Sequence, residues 1–349
     1  MGAVICRKSS DELTFYHGAR STLSESLKTY HLVTGAAGVI GFELTRQLLQ
    51  QNHKVVAVDN YLKGGKADLA QLQEKHPDQL EIIEGDLTQP GLLDRVKPPV
   101  DKVFHMAAIV GVQYVTDHPY QTVRDNCLST FAVIDWAMRV KPRALVYASS
   151  SENYASGVDR GIVAIPTPED VPLMIADILL PRWSYAASKI TGESAVGNAA
   201  RQAAFKSVII RFHNVYGPRM KPTHVIPEMI DRAQKRTNPF PVYGCDQTRS
   251  FLYVEDAARA VFLAAGGEGG IYNIGSSKEV VILDLAKLIF ELTDFHPAVE
   301  ALPAPPGSVR RRLPDVAKIK KLGFCETVSL EQGIRRCLNE YEVSQHFEH

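Results

Sequence analysis

From Tyr30 to about Leu145, short apolar runs alternate with longer segments in which apolar residues recur every three to four positions. The short runs are His31 to Val33, Val55 to Val58, Leu80 to Ile83, Val103 to Met106 and Ala144 to Tyr147. Their length and near-continuous apolar character predict strands buried on both faces. Between the first two, Phe42, Leu44, Leu48 and Leu49 keep helical spacing. Strand and helix in alternation predict an α/β fold with a doubly wound parallel sheet and helices on both faces. Two long amphipathic helices are predicted at Asp117 to Val140 and at Tyr185 to about Phe205. Beyond Val215 the pattern breaks up. Turns such as Tyr243-Gly244, the Gly266 to Gly270 run and the Pro297 to Gly307 run separate helices predicted near Val225 to Lys235, Glu255 to Ala265, Ile282 to Leu292 and Leu330 to Tyr341.

The stretch Thr34-Gly35-Ala36-Ala37-Gly38-Val39-Ile40-Gly41 lies where the first strand gives way to the first helix. Gly35 suits a tight turn, Gly38 lets backbone N–H groups approach a pyrophosphate, and Gly41 permits close helix–sheet packing. Val39 and Ile40 belong to the same cradle. The second strand ends in Asp59, at the distance downstream where a carboxylate receives a ribose 2′-hydroxyl. A 2′-phosphate would be repelled there, so NAD is expected rather than NADP. The pattern is thus a Rossmann-type doubly wound parallel sheet with a smaller mixed α/β C-terminal substrate-binding lobe. The expected division is an N-terminal extension over 1–29, an NAD-binding domain over 30–215 and a substrate-binding lobe over 216–349, with some elements crossing between the two. In such sheets ligands bind beyond the carboxyl ends of the strands. Asp86 and the Leu87 backbone end the third strand where an adenine is gripped, unless Asp86 only caps a helix near Thr88. Ala107 and Ala108 end the fourth with small residues that let a flat cofactor lie close.

The chain has 349 residues, 45% of them hydrophobic, enough for a substantial core. Basic and acidic side chains balance at 39 each, so bulk charge gives no argument for nucleic acid or an anionic membrane as partner. Cys6, Cys127, Cys245, Cys325 and Cys337 are scattered, which indicates neither a zinc site nor a disulfide framework. With no long apolar stretch, a soluble cytoplasmic protein with free thiols is expected. The two long helices exceed what one face of a small sheet needs, so they are expected to pair with their copies as the four-helix bundle of a homodimer.

Tyr185 and Lys189 stand at i and i+4 near a helix start, a spacing that puts phenol and ammonium on one face. Lys189, together with a cationic nicotinamide, is expected to lower the Tyr185 pKa so that the phenolate takes a proton from a hydroxyl. Ser149-Ser150-Ser151-Glu152-Asn153-Tyr154 follows the fifth strand, where a serine can orient the reacting hydroxyl.

At these residues the chain resembles the extended short-chain dehydrogenase/reductases that modify nucleotide sugars. The resemblance runs from Tyr30 to Tyr341. It rests on the glycine-rich turn, the Asp59-Asn60 pair, His105-Met106-Ala107-Ala108, Ser150 four residues before Tyr154 and Tyr185-x-x-x-Lys189. It rests further on Arg211-Phe212-His213-Asn214-Val215-Tyr216-Gly217-Pro218-Arg219 and on Thr248-Arg249-Ser250-Phe251-Leu252-Tyr253-Val254-Glu255-Asp256. It implies tightly held NAD that removes hydride from C4 of a nucleotide-diphosphate sugar, giving a 4-keto sugar, and later returns it. It also implies cofactor contacts from Asp59, Asn60, Asp86, Tyr185 and Lys189, substrate contacts from Ser150, Ser151 and Asn214, and a diphosphate contact from Arg249. Arg310, in the run Arg310-Arg311-Arg312, is a further phosphate candidate, weighed against a solvated surface run.

A 4-ketone acidifies C3–H and C5–H and turns a C5 carboxylate into a group that leaves as carbon dioxide, so one oxidation opens epimerisation, dehydration or decarboxylation. Glu152 is the residue that bears most on the choice, weighed against a structural carboxylate at a helix start. A carboxylate there fits decarboxylation or elimination better than simple inversion at C4. Pro181-Arg182-Trp183-Ser184-Tyr185 resembles the approach to the tyrosine in some UDP-glucuronate decarboxylases, and Ser151 stands where dehydratases commonly have aspartate. Asn153 and Ala155 depart from the usual valine and glycine, and Gly161 to Leu180 is a longer insertion. Decarboxylation is placed first, 4-epimerisation second and 4,6-dehydration third. A non-catalytic NAD-binding sensor and a reductase of small carbonyls are the rivals from other classes.

Overall fold

A computed structural model of the chain describes residues 30–97, 99–304 and 308–346. The expected extension over 1–29 and the end of the Pro-rich run fall outside the described residues. The elements in order are β1 (Tyr30–Thr34), α1 (Val39–Gln50), β2 (Lys54–Asp59), α2 (Lys66–Lys75), β3 (Leu80–Glu84), β4 (Val100–His105), α3 (Val112–Asp117), α4 (Pro119–Val140), β5 (Ala144–Ser150), α5 (Glu152–Asp159) and α6 (Ser184–Ala203). They continue with β6 (Lys206–Phe212), β7 (Val215–Tyr216), α7 (Val225–Gln234), β8 (Phe240–Tyr243), β9 (Thr248–Ser250), β10 (Leu252–Tyr253), α8 (Val254–Gly266) and β11 (Gly270–Ile274). The last are β12 (Glu279–Val281), α9 (Ile282–Leu292), β13 (Val299–Leu302), β14 (Arg311–Arg312), α10 (Ala317–Lys320) and α11 (Leu330–His346).

Seven strands pair in parallel in the order β11-β6-β5-β4-β1-β2-β3. The chain moves outward from β1 in one direction and from β4 in the other, so the order reverses between β1 and β4. That reversal opens the crevice in which ligands of such sheets bind. Successive residues of a strand serve opposite faces. Val33, Val55 and Ala57 join the core formed with Leu44, Leu48 and Val261, while Leu32, Val56 and Val58 join the one formed with Val133, Ile134 and Val196. Both faces are thus covered, which is why these strands read as unbroken apolar runs.

Residues beyond 216 build a third core from Ile226, Ile230, Phe240, Ile282, Leu285, Ile289 and Ile334, edged by the small sheets β12-β9-β14 and β13-β8. Val39 and Ile40, at the start of α1, pack against this core as well. The glycine-rich turn therefore lies at the seam between the main sheet and the lobe. Two later segments return to the main sheet: β11 adds its edge strand beside β6, and α8 packs Val261 and Ala264 into the core that α1 shares.

Three imidazoles are buried in or beside the sheet. His105 shares hydrogen bonds with Thr34 Oγ1 (2.7 Å) and Thr130 Oγ1 (3.2 Å). Burial brings His105 and His213 down to about 3 and His31 down to about 2. These folded values lie below that of an exposed imidazole, roughly 6.5, so the unfolded chain binds protons that the folded chain refuses. Stability from this source is complete above that value and drains away as pH falls below it. Between pH 7 and pH 5 the melting temperature should drop, with about three protons taken up on unfolding at the acid end. A melting temperature flat over that range would contradict the burial of neutral rings.

Candidate active site

The carboxyl ends of β1, β2, β4 and β5 open into a cavity of about 560 Å³ that the loop after β7 closes from the lobe side. At its floor the chain turns through Gly35 with φ +67°, a value glycine adopts without strain. A Cβ on Gly35 would lie 2.6 Å from the Ala107 nitrogen, and one on Gly41 would lie 2.0 Å from the Gly35 oxygen. The turn is therefore closed against β4 and against its own helix. Gly38 precedes α1 with an ordinary extended φ of −69°, so its use is space rather than conformation. The first-turn N–H groups of Val39, Ile40 and Gly41 have no partner within the helix by its geometry, and these residues line the cavity. This cradle fits a pyrophosphate.

Asp59 sits at the end of β2, and its two oxygens accept hydrogen bonds from Ala37 N (2.9 Å) and Tyr61 N (2.7 Å). One carboxylate thus ties the glycine turn to the second strand and still has lone pairs to spare, the acceptors a ribose diol needs. Asn60 Nδ2 donates to Asp86 Oδ2 (3.0 Å), and Asp86 Oδ1 accepts from Thr88 N (2.8 Å). Asp86 forms a side-chain turn. No helix starts at Thr88; the next helical turn is the 3₁₀ segment Leu92–Arg95. Asn60, Asp86, Leu87, Ala107 and Ala108 all line the cavity.

At the other end stand Ser150, Ser151, Glu152, Tyr185, Lys189 and Asn214. Ser150 stands beside the Tyr185 phenol and favours its ionised form, and its Oγ accepts the Glu152 N–H (3.1 Å). Lys189 lies with Nζ 5.7 Å from the Tyr185 ring centroid and donates to Ala148 O (2.7 Å). Burial lowers the Lys189 ammonium to about 7, and Glu193 opposes this. Burial likewise pushes the Tyr185 phenol above its ordinary value, against the effect of Ser150. The Lys189 ammonium is thus directed to a backbone carbonyl, and burial outweighs the Ser150 contribution at the phenol. Asn214 takes φ +38° and donates from Nδ2 to Ser250 O (3.0 Å).

Glu152 begins α5 and is held between two arginines. Arg312 Nη1 lies 2.7 Å from Oε1, and Arg182 Nη2 lies 3.4 Å from Oε2. Burial alone would raise the Glu152 carboxyl; the two guanidiniums outweigh it and hold the group below its ordinary value. It is a carboxylate at neutral pH. The Nε atoms of both arginines are buried without a hydrogen-bond partner among the described residues. Arg249 donates to Gln247 Oε1 (2.9 Å) and Ser308 Oγ (3.2 Å), outside the cavity lining but close enough that burial and Arg312 lower it to about 10.

Arg310 is 84% exposed and pairs with Asp246 (3.6 Å), away from the cavity. The arginine that enters is Arg312, two positions on. β14 runs beside β9, and its adjacent side chains diverge: Arg311 turns outward to Glu279 (2.6 Å) and Arg312 inward to Glu152. Arg182 also enters. The Pro181-Arg182-Trp183 sequence is its signal, while Arg312 can be told from its neighbours only once the strand is known.

A sheet reversing at a glycine-rich cradle, with serine, tyrosine and lysine at one end, defines a dinucleotide-dependent enzyme of the short-chain dehydrogenase/reductase type. The chain belongs to the NAD dependent epimerase/dehydratase family, whose model matches residues 31–275. NAD is accordingly its cofactor. Among curated relatives it is 32% identical over 325 residues to UDP-N-acetyl-alpha-D-glucosaminuronate decarboxylase of Bacillus cytotoxicus, covering 89% of this chain and 97% of the relative. Among solved structures it is similar to dTDP-glucose 4,6-dehydratase DesIV of Streptomyces venezuelae with NAD bound. There the TM-score is 0.81 at 26% identity, covering 91% of this chain and 98% of that one. The UDP-glucose 4-epimerase of Thermus thermophilus in complex with NAD gives a TM-score of 0.79 at 25% identity, covering 90% and 99%.

Proposed function

We propose that this chain decarboxylates a nucleoside-diphosphate sugar whose C5 bears a carboxylate, through a 4-keto intermediate, with UDP-glucuronate as the simplest candidate. The observation that carries this reading is the Arg182–Glu152–Arg312 group beside Tyr185. Two guanidiniums against one carboxylate leave an excess positive charge, and two buried Nε–H donors lack acceptors among the described residues. An acidic substituent on the sugar supplies both charge and acceptors.

NAD, when bound, takes hydride from C4 and returns it. The protein's part follows from the geometry. Tyr185 removes the proton of the C4 hydroxyl, and Ser150, which lines the same end of the cavity, orients that hydroxyl. The resulting sugar is a β-keto acid: as the C5–C6 bond breaks, its electron pair moves into the C4–C5 enolate, with O4 stabilised by Ser150 and the Tyr185 phenol. Carbon dioxide is uncharged, so arginines alone would favour the bound carboxylate and resist its loss. Glu152 offsets one of their two charges, which admits the carboxylate while weakening the hold on its charged form. C5 then takes a proton from solvent, which restores the C4 ketone, and Tyr185 gives its proton back to O4 as the hydride is returned to C4. Asn214 and the cradle at α1 are read as contacts to substrate and cofactor, and Arg249 as support for the cationic end rather than a direct lining group.

Incubation of purified enzyme with UDP-glucuronate, UDP-N-acetylglucosaminuronate, UDP-glucose and dTDP-glucose, read by mass, tests the reaction. Loss of carbon dioxide from an acidic sugar is expected; unchanged mass with an altered sugar would assign epimerisation, and loss of water dehydration. Arg312→Met should lower kcat/KM for the acidic sugar about 100-fold, roughly the 2–3 kcal/mol of a charge-assisted contact, and leave binding of UDP-glucose within about threefold. Equal losses on both would remove Arg312 from carboxylate recognition.

A homodimer through α4 and α6 belongs to the same proposal. Leu128 and Phe131 remain about 40% exposed on α4, and Tyr120 is 71% exposed, on a helix whose opposite side packs on the sheet. Sedimentation at micromolar concentration should give a dimer that Phe131→Glu converts to monomer; a monomeric parent would refute it.

A further inference from the structure

Behind Tyr185 and Ser150 lies a buried polar cluster to which the reaction above assigns no task. α6 carries Tyr185, Lys189 and Glu193 at i, i+4 and i+8, on one face. The helix approaches β5 closely, because Gly192 faces it: a Cβ there would lie 2.0 Å from the Tyr147 hydroxyl. Glu193 Oε1 accepts from Ser149 Oγ (2.5 Å), Asn153 Nδ2 (2.9 Å) and Arg211 Nε (2.9 Å), and Oε2 accepts from Arg211 Nη2 (2.6 Å). Asn153 Nδ2 also donates to Ser149 Oγ (3.1 Å). Ser149, Asn153, Glu193 and Arg211 are all nine-tenths buried or more.

The donors come from three elements: Ser149 from the end of β5, Asn153 from the first turn of α5 and Arg211 from β6. Ser149 and Asn153 bracket Ser150 and Glu152. One carboxylate on the helix that bears the tyrosine thus grips the segment that bears the serine on both sides. Arg211 holds that carboxylate by a two-pronged contact, and its Nη1 donates to Tyr154 OH (2.7 Å), which donates in turn to Asn273 Oδ1 (2.9 Å) on β11. The amide of Asn153, where an apolar residue is usual, belongs to the same grip.

We propose that Glu193, with Ser149, Asn153 and Arg211, is a positioning residue that fixes the Ser150 segment against α6, so that the serine and Tyr185 hydroxyls face the same reacting hydroxyl in the cavity. A catalytic group displaced by a fraction of an ångström loses rate rather than binding, because the misplacement matters at the reacting hydroxyl. The inference rests on the role given to Ser150 and Tyr185 above. It predicts energetic coupling between Ser149 and Ser150, which a buried ion pair serving only stability would not produce.

Glu193→Gln strips Arg211 of its counter-charge and can unfold the chain, so Ser149→Ala is the test, with Asn153→Val as a second variant that spares the ion pair. Both are assayed as NAD-loaded enzyme on the nucleotide sugar turned over in the panel above, with bound NAD and melting temperature measured alongside. In a folded variant kcat should fall about tenfold, with KM within about twofold and NAD content unchanged. In a Ser150→Ala background the same change should cost less than about threefold. An unchanged kcat in both folded variants, or the full loss repeated in the Ser150→Ala background, would overturn the proposal. Ser150→Ala at parental rate would instead remove the serine's role itself, a distinct failure.

Discussion

At the carboxyl edge of the sheet, backbone segments pass so close that no side chain fits between them. Gly35 lies against Ala107 at the end of β4, Gly41 against the Gly35 carbonyl, and Gly64 against Ala37, where a Cβ would be 2.1 Å from the carbonyl oxygen. This contact brings the turn after β1, the start of α1 and the ends of β2 and β4 to one floor, and Asp59 locks it with two backbone hydrogen bonds. Any Cβ at these glycines would push α1 off the sheet. Its first-turn N–H groups would move with it, along with the seam where Val39 and Ile40 touch the lobe core. The cavity and the packing of the third core against α1 thus share one steric constraint.

The second organising feature is charge. Many ion pairs among the described residues, such as Arg335–Glu331 and Lys287–Asp284, lie on the surface, where their worth is small. The sugar end of the cavity is different: Arg182, Arg312 and Glu152 come from three separate stretches and meet away from bulk water. Burial of that kind costs free energy, and a fold selected for stability alone would do as well with apolar groups. The excess cation is a property of the site, and it is what favours the proposed acidic sugar over simple inversion of a hydroxyl.

Much of the fold is legible in the sequence because its strands are buried on both faces, so apolar runs bounded by turn residues mark them without ambiguity. The glycine turn and Asp59 are legible because steric and donor requirements leave few residue choices. Long-range pairing is not. The Gly270–Ile274 segment reads as part of an irregular lobe, and only its partner β6 makes it the sheet's edge. Arg310 stands out before Arg312 for the same reason: within a basic triplet nothing but the register against β9 says which side chain turns inward. The helix predicted from Asp117 is α4, which starts at Pro119, a first position where proline is favoured, after the separate short α3 ends at Asp117. Asn153 shows in the sequence as a departure from a pattern, but its meaning lies in Glu193, forty residues away and invisible until α6 is laid on β5.

The central claim is that hydride leaves C4 of the sugar and comes back to it within one active-site visit. The most direct measurement uses the nucleotide sugar the enzyme turns over, deuterated at C4, with the product read by mass and proton NMR. The account predicts slower turnover and deuterium retained at C4 of the product. Product that has lost the label to water, or a rate and product indifferent to it, would contradict the 4-keto route.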